Sequence, residues 1–360
     1  MLFNINFTQS ADVMYIVEET LKPRKLTRTG HTSWTLTEVD FKKGPYLDTN
    51  TSSTTMTPSG TSGSVTITAS TSTFVANDVG RLITIGDGHA KITGYTSGTQ
   101  VAATTTEDFA NTSANATWAL GAWCTDKGYP RTVSFFEQRL VFAGSTSYPQ
   151  TVWASESGLY EEFDAGDASA ADAFIYTIAA NRVNVIRWLS PARDLIVGTV
   201  GGEFKVGRPT GEPLKPDNVQ ITQQTTFGGY TTAPIQIGNA VLFVQRQQRK
   251  VREFAYRFED DAYLAPDMTL LAEHITNTGI VDVDYAQEPD SIYWAVRTDG
   301  TLIGMTYQRD EDVVAWHRHI LGGSIKYVFN GASAITAHTT DPNKNGYITI
   351  SSHGLSTGDK

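Results

Sequence analysis

Short apolar runs that are rich in β-branched and aromatic residues recur along the chain, and each is followed by a polar turn and a second run. The first runs span residues 11–17, 139–145, 194–200, 240–246 and 291–297, and the second runs span residues 24–29, 150–155, 202–207, 250–256 and 301–307. Runs of this length and composition predict buried strands. Gly201-Gly202 and Asp299-Gly300 between two of the pairs supply the positive φ that tight hairpins need. The pattern therefore predicts a β-hairpin that is repeated along the chain.

The spacing of these hairpins indicates the architecture. The intervals are all about 50 residues once residues 48–122 are set aside, and a unit of that length with three or four strands is typical of a β-propeller blade. A single blade cannot bury both of its faces, so neighbouring blades must stack. Four tryptophans are expected to fill the space between blades: Trp153, Trp188, Trp294 and Trp316.

We therefore predict an all-β fold: a β-propeller with about five recognisable blade units and an inserted small β domain. The alternative is an irregular all-β sandwich whose strands resemble one another only in composition. Residues 1–47 are predicted to form one blade, in which residues 33–41 alternate cleanly, and residues 123–330 are predicted to form the remaining blades.

Residues 48–122 form the predicted insert. It begins with a low-complexity Thr/Ser/Gly stretch, residues 51–64, which predicts a mobile linker or loop. Short strands are predicted at residues 65–69, 82–85, 90–95 and 100–103. Residues 331–360, with a strand at 347–351, predict the start of a second β insertion or a truncated C-terminal module, so we expect a fragment or an unusually short relative.

Composition narrows the function classes. Cys124 is the only cysteine, which excludes intramolecular disulfides and cysteine-based zinc sites and fits a protein made in a reducing cytoplasm. No apolar run is long enough to span a membrane, and the first residues lack the basic start of a signal peptide. The formal net charge of −10 disfavours binding to DNA phosphates, although an acidic wall would let DNA slide past without sticking.

Several strings in the sequence resemble a known family. They are FTQSADVMYI at residues 7–16, PRKLTRTGHTSWTLTEVD at 23–40, GYPRTVSFFEQRLVFAG at 128–144, PQTVWAS at 149–155, and residues 194–202. Together they are similar to the tail nozzle (tail tubular protein B-like) and related tail or stabilisation proteins of short-tailed phages and prophages. The resemblance covers most of residues 5–330.

This resemblance implies a structural role in the phage tail. Its members are propeller-bearing subunits, and it implies a hexameric ring at the distal tail with genomic DNA passing through the centre without sequence-specific binding. The implied partners are copies of the chain itself and other tail proteins such as the adaptor and the fibres or needle. The implied location is the virion, after synthesis in the host bacterial cytoplasm. Relatives usually carry a region before the motif at residues 7–16 and longer C-terminal parts.

Candidate chemistry is sparse. His317 and His319 share a strand face with spacing that suits one metal, but no third ligand is indicated. Asp282 and Asp284 also share a face, and a pair of carboxylates serves glycosidases only when a cleft holds them about 5–9 Å apart. We therefore expect no catalytic, metal or cofactor site and no enzymatic activity. A cell-wall or capsule hydrolase is kept as a minor alternative.

Two sets of residues are candidates for contacts. The densest basic run contains Arg246, Arg249, Lys250 and Arg252, and is either a solvated hairpin tip or a contact with DNA or, as we favour, with an acidic neighbouring subunit. The other class of function is a receptor- or glycan-binding tail module, for which the candidate aromatic residues are Tyr95, Trp118 and Trp123.

Overall fold

The computed structural model describes residues 4–166, 169–179, 184–209, 212–331 and 334–339. The fold is all-β: the described residues form strands, joined by turns and two short 3-10 turns, Ala76–Asp78 and Arg309–Glu311. Long helix formers are few and turn residues are frequent, which is why strands dominate. In these ranges no helix is long and apolar enough to cross a membrane.

Five four-stranded sheets carry the repeat. The first sheet contains β1 (Asn6–Ser10), β2 (Val13–Glu18), β3 (Leu21–Gly30) and β4 (Ser33–Glu38). In every one of these sheets the strand order follows the chain order, as in the blades of a propeller. The predicted hairpins are the second and third strands of each sheet, and the fold class is the predicted β-propeller with an inserted β domain.

The other four sheets have the same order along the chain. Strands β5–β10 belong to the insert. The second sheet contains β11 (Thr132–Phe136), β12 (Arg139–Ala143), β13 (Thr151–Ala154) and β14 (Phe174–Thr177), and the third contains β15 (Ile186–Pro191), β16 (Leu195–Thr199), β17 (Glu203–Gly207) and β18 (Gln220–Thr225). The fourth sheet contains β19 (Ile235–Ile237), β20 (Ala240–Val244), β21 (Val251–Arg257) and β22 (Ala262–Leu264), and the fifth contains β23 (Ile280–Ala286), β24 (Ile292–Arg297), β25 (Leu302–Gln308) and β26 (Val313–His319).

The insert is a six-stranded sheet with the order β10-β7-β8-β9-β6-β5. Its strands are β5 (Met56–Pro58), β6 (Ser64–Ala69), β7 (Leu82–Ile85), β8 (Gly88–Ser97), β9 (Gln100–Glu107) and β10 (Trp118–Leu120). It has its own core, which includes Met56, Ile67, Ile83 and Val101. Most of residues 51–64, predicted as a mobile linker or loop, is loop. The prediction missed β5, which pairs with β6, and the Asn50 side chain, which donates to the carbonyls of Ser52, Thr54 and Ala116.

The chain enters and leaves this insert at one place. Leu47 N–H donates to the Leu120 carbonyl over 2.8 Å, and Ala122 N–H donates to the Pro45 carbonyl over 2.8 Å. The close approach needs Gly121, because a Cβ there would lie 3.1 Å from the backbone nitrogen of Leu82. The two connections are therefore hydrogen-bonded to each other.

The chain divides into two compact units. One comprises Met1–Val197 with Lys205–Thr222, and the other comprises Gly198–Phe204 with Gln223–Lys360. In the first unit the first and second sheets share a core that includes Tyr15, Val17, Leu140, Phe142 and Trp153. In the second unit the fourth and fifth sheets do the same.

The shared core of the second unit includes Leu242, Val251, Tyr293 and Ile303. The four tryptophans expected between blades are buried or, in the case of Trp316, half-buried. The predicted domain boundaries remain predictions. A hairpin of β27 (Ile325–Gly331) and β28 (Ala334–Thr339) follows the fifth sheet, and the strand predicted at residues 347–351 lies outside the described residues.

Candidate functional site

The basic run is divided by the turn between β20 and β21. Arg246 and Arg249 are exposed at the turn. Lys250 forms ion pairs with two carboxylates of the same chain: its Nζ lies 2.6 Å from Asp267 Oδ2 and 3.2 Å from Glu273 Oε1. The hydrogen bond to Asp267 raises the pKa of Lys250. Of these three side chains, only the two exposed arginines are available for a partner.

The Arg252 side chain also contacts other residues of the same chain. Its guanidinium lies 3.4 Å from the centre of the Phe227 ring, and its Nη1 and Nε donate to the Ala265 carbonyl and to Gln245 Oε1 over 2.7 and 2.8 Å. Its charge also acts on Glu203, a fully buried acid on β17. Burial raises the pKa of Glu203 to about 7, although Thr225 Oγ1, two backbone amides and Arg252 all favour the charged form. Arg252 is therefore half-buried and engaged by groups of its own unit.

The three aromatic candidates for a glycan have different environments. Tyr95 is 42% exposed. Trp118 is half-buried, and its Nε1 donates to the Thr54 carbonyl over 2.9 Å. Trp123 is buried in the blade core, where its ring meets Phe41, Phe142, Trp153 and Phe163 edge-on. Trp123 is therefore not available as a glycan contact, because a buried ring has no free face on which a sugar could stack.

Tyr95 and Trp118 do not form one platform. Trp118 pairs with Ile85, and Ile85 pairs with Gly88 at the start of β8, whereas Tyr95 lies near the end of β8. At about 3.3 Å per residue, the two rings are separated by roughly 20 Å along the sheet. A single sugar cannot contact both of them.

Trp118 does line a cleft of about 420 Å³ where the insert meets the blades. His89 on β8 is buried at its base, with Nδ1 2.7 Å from Tyr46 Oη, and its Nε2 lies 3.5 Å from Asp164 Oδ2 and 3.7 Å from Glu107 Oε2. The hydrogen bond from His89 lowers the pKa of Asp164, so this carboxylate stays charged. The cleft therefore combines aromatic rings, Trp118 among them, with charged hydrogen-bond acceptors, a combination suited to a polyhydroxylated ligand.

The histidines and aspartates considered for metal binding or catalysis contact neighbouring side chains and backbone groups of the fold. His317 Nδ1 lies 2.8 Å from His319 Nε2, and both rings contact Trp294. Burial lowers the pKa of His317. Asp282 Oδ2 accepts the Val328 N–H over 2.9 Å. Within the part of the chain that is described, no group of three or more His, Cys, Asp or Glu residues could hold a metal ion.

Sequence reasoning missed an apolar surface on the first sheet, which we call the outer face and define by Phe7, Met14, Ile16, Leu26, Trp34 and Leu36. Cross-strand pairing aligns Leu36 with Leu26, Leu26 with Met14, and Ile16 with Phe7. Tyr15 and Val17 point to the opposite side, into the core. Trp34, Leu36 and Phe7 are 56%, 54% and 58% exposed. The alternation at residues 33–41 was the available signal, but it does not tell which strand face remains uncovered.

No family model matches the sequence, and no curated protein matches it. Among solved structures, the Pan2 WD40 domain of Neurospora crassa is similar at 8% identity and a TM-score of 0.39, over 96% of this chain and 90% of that one. An auxiliary nutrient binding protein from Bacteroides thetaiotaomicron is similar at 9% identity and a TM-score of 0.32, over 73% of this chain and 70% of that one. An auxiliary nutrient binding protein from Bacteroides ovatus is similar at 8% identity and a TM-score of 0.33, over 73% of this chain and 70% of that one.

Proposed function

We propose that the chain is a structural subunit of a phage tail nozzle or hub, where copies form a ring that docks other tail proteins and surrounds the DNA exit channel. The observation that supports this proposal is the outer face of the first sheet. Large apolar residues gathered on one exposed surface mark an interaction site more often than scattered ones do. Propeller blades bury both faces only by stacking, so this face suits another protein subunit.

The occupant that we propose is a second copy of the chain. A net charge of −10 makes copies repel each other in general. Charges at the outer face are paired, however: Arg28 Nη1 lies 2.9 Å from Asp12 Oδ1, and Arg24 Nη2 lies 3.8 Å from Glu38 Oε1. Repulsion is therefore weakest where the apolar side chains are exposed. Arg246 and Arg249 provide a second, basic contact for an acidic neighbouring surface.

The test is the mass of the protein in solution, measured by light scattering after size exclusion, together with negative-stain images. We expect concentration-dependent oligomers and rings for the wild type, and loss of both for Leu36→Glu. Thr35→Glu is the matched control, because Thr35 is exposed on the same strand but points to the other face. A wild-type protein that stays monomeric at all concentrations, or equal behaviour of the two variants, would overturn the proposal.

A receptor- or glycan-binding tail module is the second candidate, and the cleft beside Trp118 favours it. Aromatic rings stack on sugars, and charged carboxylates such as Asp164 accept hydrogen bonds from hydroxyl groups. A glycan array probed with the whole protein would test it. We expect binding that is lost in Trp118→Ala and kept in Tyr95→Ala, since Tyr95 lies far from the cleft. An array with no bound glycan excludes this function.

A further inference from the structure

A second, smaller cavity lies beside the two connections of the insert. Its volume is about 60 Å³. Its walls come from three parts of the first unit: the first sheet with the segment after it, the middle of the insert around β7 and β8, and the segment that follows β10. Lys22, Arg81, Lys91 and Trp123 line it, and Glu38 is the carboxylate among the lining residues. Cations therefore outnumber carboxylates in the wall of a strongly acidic protein.

Two of the lining residues carry buried N–H groups without an acceptor. Arg81 is 5% exposed; its Nη1 donates to Asp78 Oδ1 over 2.7 Å and its Nε donates to the Gly121 carbonyl, but its Nη2 has no partner. Trp123 is 8% exposed, and its Nε1 has no partner either. Leaving such a donor unsatisfied costs about 1–3 kcal/mol, and more when the group is charged. Two of them around one cavity point to a ligand with acceptor atoms.

The size and the charge of the cavity restrict that ligand. A water molecule needs about 10–15 Å³ of such volume, so the cavity has more room than one water requires, but too little for a large molecule. Asp78 neutralises much of the charge of Arg81, and Asp40 lies 3.3 Å from Lys91 Nζ. Lys22 Nζ likewise lies 3.4 Å from Glu38 Oε2, so each cation of the wall has a carboxylate partner. A wall with so little net charge suits a monoanion better than a phosphate dianion. A guanidinium N–H and an indole N–H in the wall of one cavity can each donate to one of the two oxygens of a carboxylate.

We propose that this cavity binds a small monocarboxylate of the size of formate or acetate, held by Arg81 Nη2 and Trp123 Nε1 with Lys22 and Lys91 at its rim. Binding would join the first sheet, the insert and the segment after β10 through one anion. The site does not depend on self-association, on the outer face or on the cleft beside Trp118.

The test is calorimetric titration of the full chain with sodium acetate at constant ionic strength, with sodium chloride and sodium benzoate as comparison ligands. We expect acetate to bind, and chloride and benzoate to bind far more weakly. Trp123→Phe keeps the aromatic packing and removes one donor, so it should weaken acetate about five- to tenfold. Trp34→Phe is the control for the substitution itself and should leave acetate binding unchanged.

Lys91→Gln keeps the result interpretable if Trp123→Phe disturbs the core, because Lys91 is partly exposed and its loss should weaken acetate about two- to fivefold. Absence of acetate binding to the wild type, or binding unchanged in both Trp123→Phe and Lys91→Gln, would overturn the proposal.

Discussion

The first and the fifth four-stranded sheets have the same strand order but different outer surfaces. Both bury one face against a neighbouring sheet of their own unit. On the other face of the fifth sheet, Trp294, Val296 and Leu302 pack against Ile325 and Val328 of β27. The corresponding face of the first sheet exposes Trp34 and Leu36 instead. The second face of a blade can therefore be covered by a segment of the same chain, as in the fifth sheet, or remain exposed to a partner, as in the first.

The means of attachment also differ between the two faces. On the fifth sheet, Asp282 accepts the Val328 N–H and so fixes β27 to the sheet. Burial raises the pKa of Asp282, as expected for a carboxyl group under a cover. Around the outer face of the first sheet, charged side chains pair with each other at the surface. Such exposed pairs contribute little stability but help to select a partner.

Matched tryptophan substitutions give the largest expected contrast. Trp294→Ala should lower the free energy of unfolding by about 3–5 kcal/mol, because it leaves a cavity under β27. Trp34→Ala should change it by less than about 0.5 kcal/mol, because the ring is exposed in the monomer. Denaturant unfolding at low protein concentration measures both. Equal losses would mean that the outer face of the first sheet is covered.

A buried and an exposed acid give the next contrast. Burial raises the pKa of Glu203 from 4.5 to about 7, so between these values the folded state holds a proton that the unfolded state releases. Stability should therefore be fully present below pH 4.5 and fall as the pH rises through 7, by up to about 3 kcal/mol. Unfolding followed from pH 4.5 to pH 8 should show this slope in the wild type and in Glu38→Gln.

Glu203→Gln should remove that slope, because its amide does not titrate. A slope of equal size in Glu203→Gln would assign the pH dependence to another group. A slope that was also lost in Glu38→Gln would show that the exposed acid of the first sheet, rather than the buried one, determines it.

Salt gives the smallest expected effect and separates the two proposed contacts between copies. Raising the ionic strength from about 0.05 to 0.5 M screens the repulsion between acidic chains. Association through the apolar outer face should therefore tighten, by roughly 1 kcal/mol or about fivefold in Kd. Sedimentation at both salt concentrations measures it. Weaker association at high salt would instead assign the main contact to Arg246 and Arg249.

The inner strands of the blades could be predicted from the sequence, whereas most of the outer strands could not. Strands such as β12 and β20 are buried along their whole length, so they read as continuous apolar runs. β18 lies at a sheet edge and contains many polar and exposed residues, so its sequence resembles a loop, whereas the edge strand β4 was marked by the alternation at residues 33–41. Within the Thr-rich start of the insert, which is mostly loop, β5 was missed for the same reason, since only its backbone pairing with β6 marks it as a strand.

The candidate site was less predictable, because burial depends on contacts distant in sequence. Trp118 and Trp123 are close neighbours in the chain, but the insert ends between them, and one lines a cleft while the other lies in the blade core. The basic run likewise reads as one cluster in sequence. It is divided only by Asp267, Glu273 and Phe227, which approach from other segments.

The hydrogen bonds between Leu47 and Leu120 and between Pro45 and Ala122 have a consequence for the tolerance of the fold to changes in the insert. Because they close the blade chain upon itself, the two ends of the insert stay paired whatever the length of chain between them. A longer or shorter insert would therefore leave the blade strands in register and would change only the surfaces that touch it, such as the contacts of His89 with Tyr46 and Asp164.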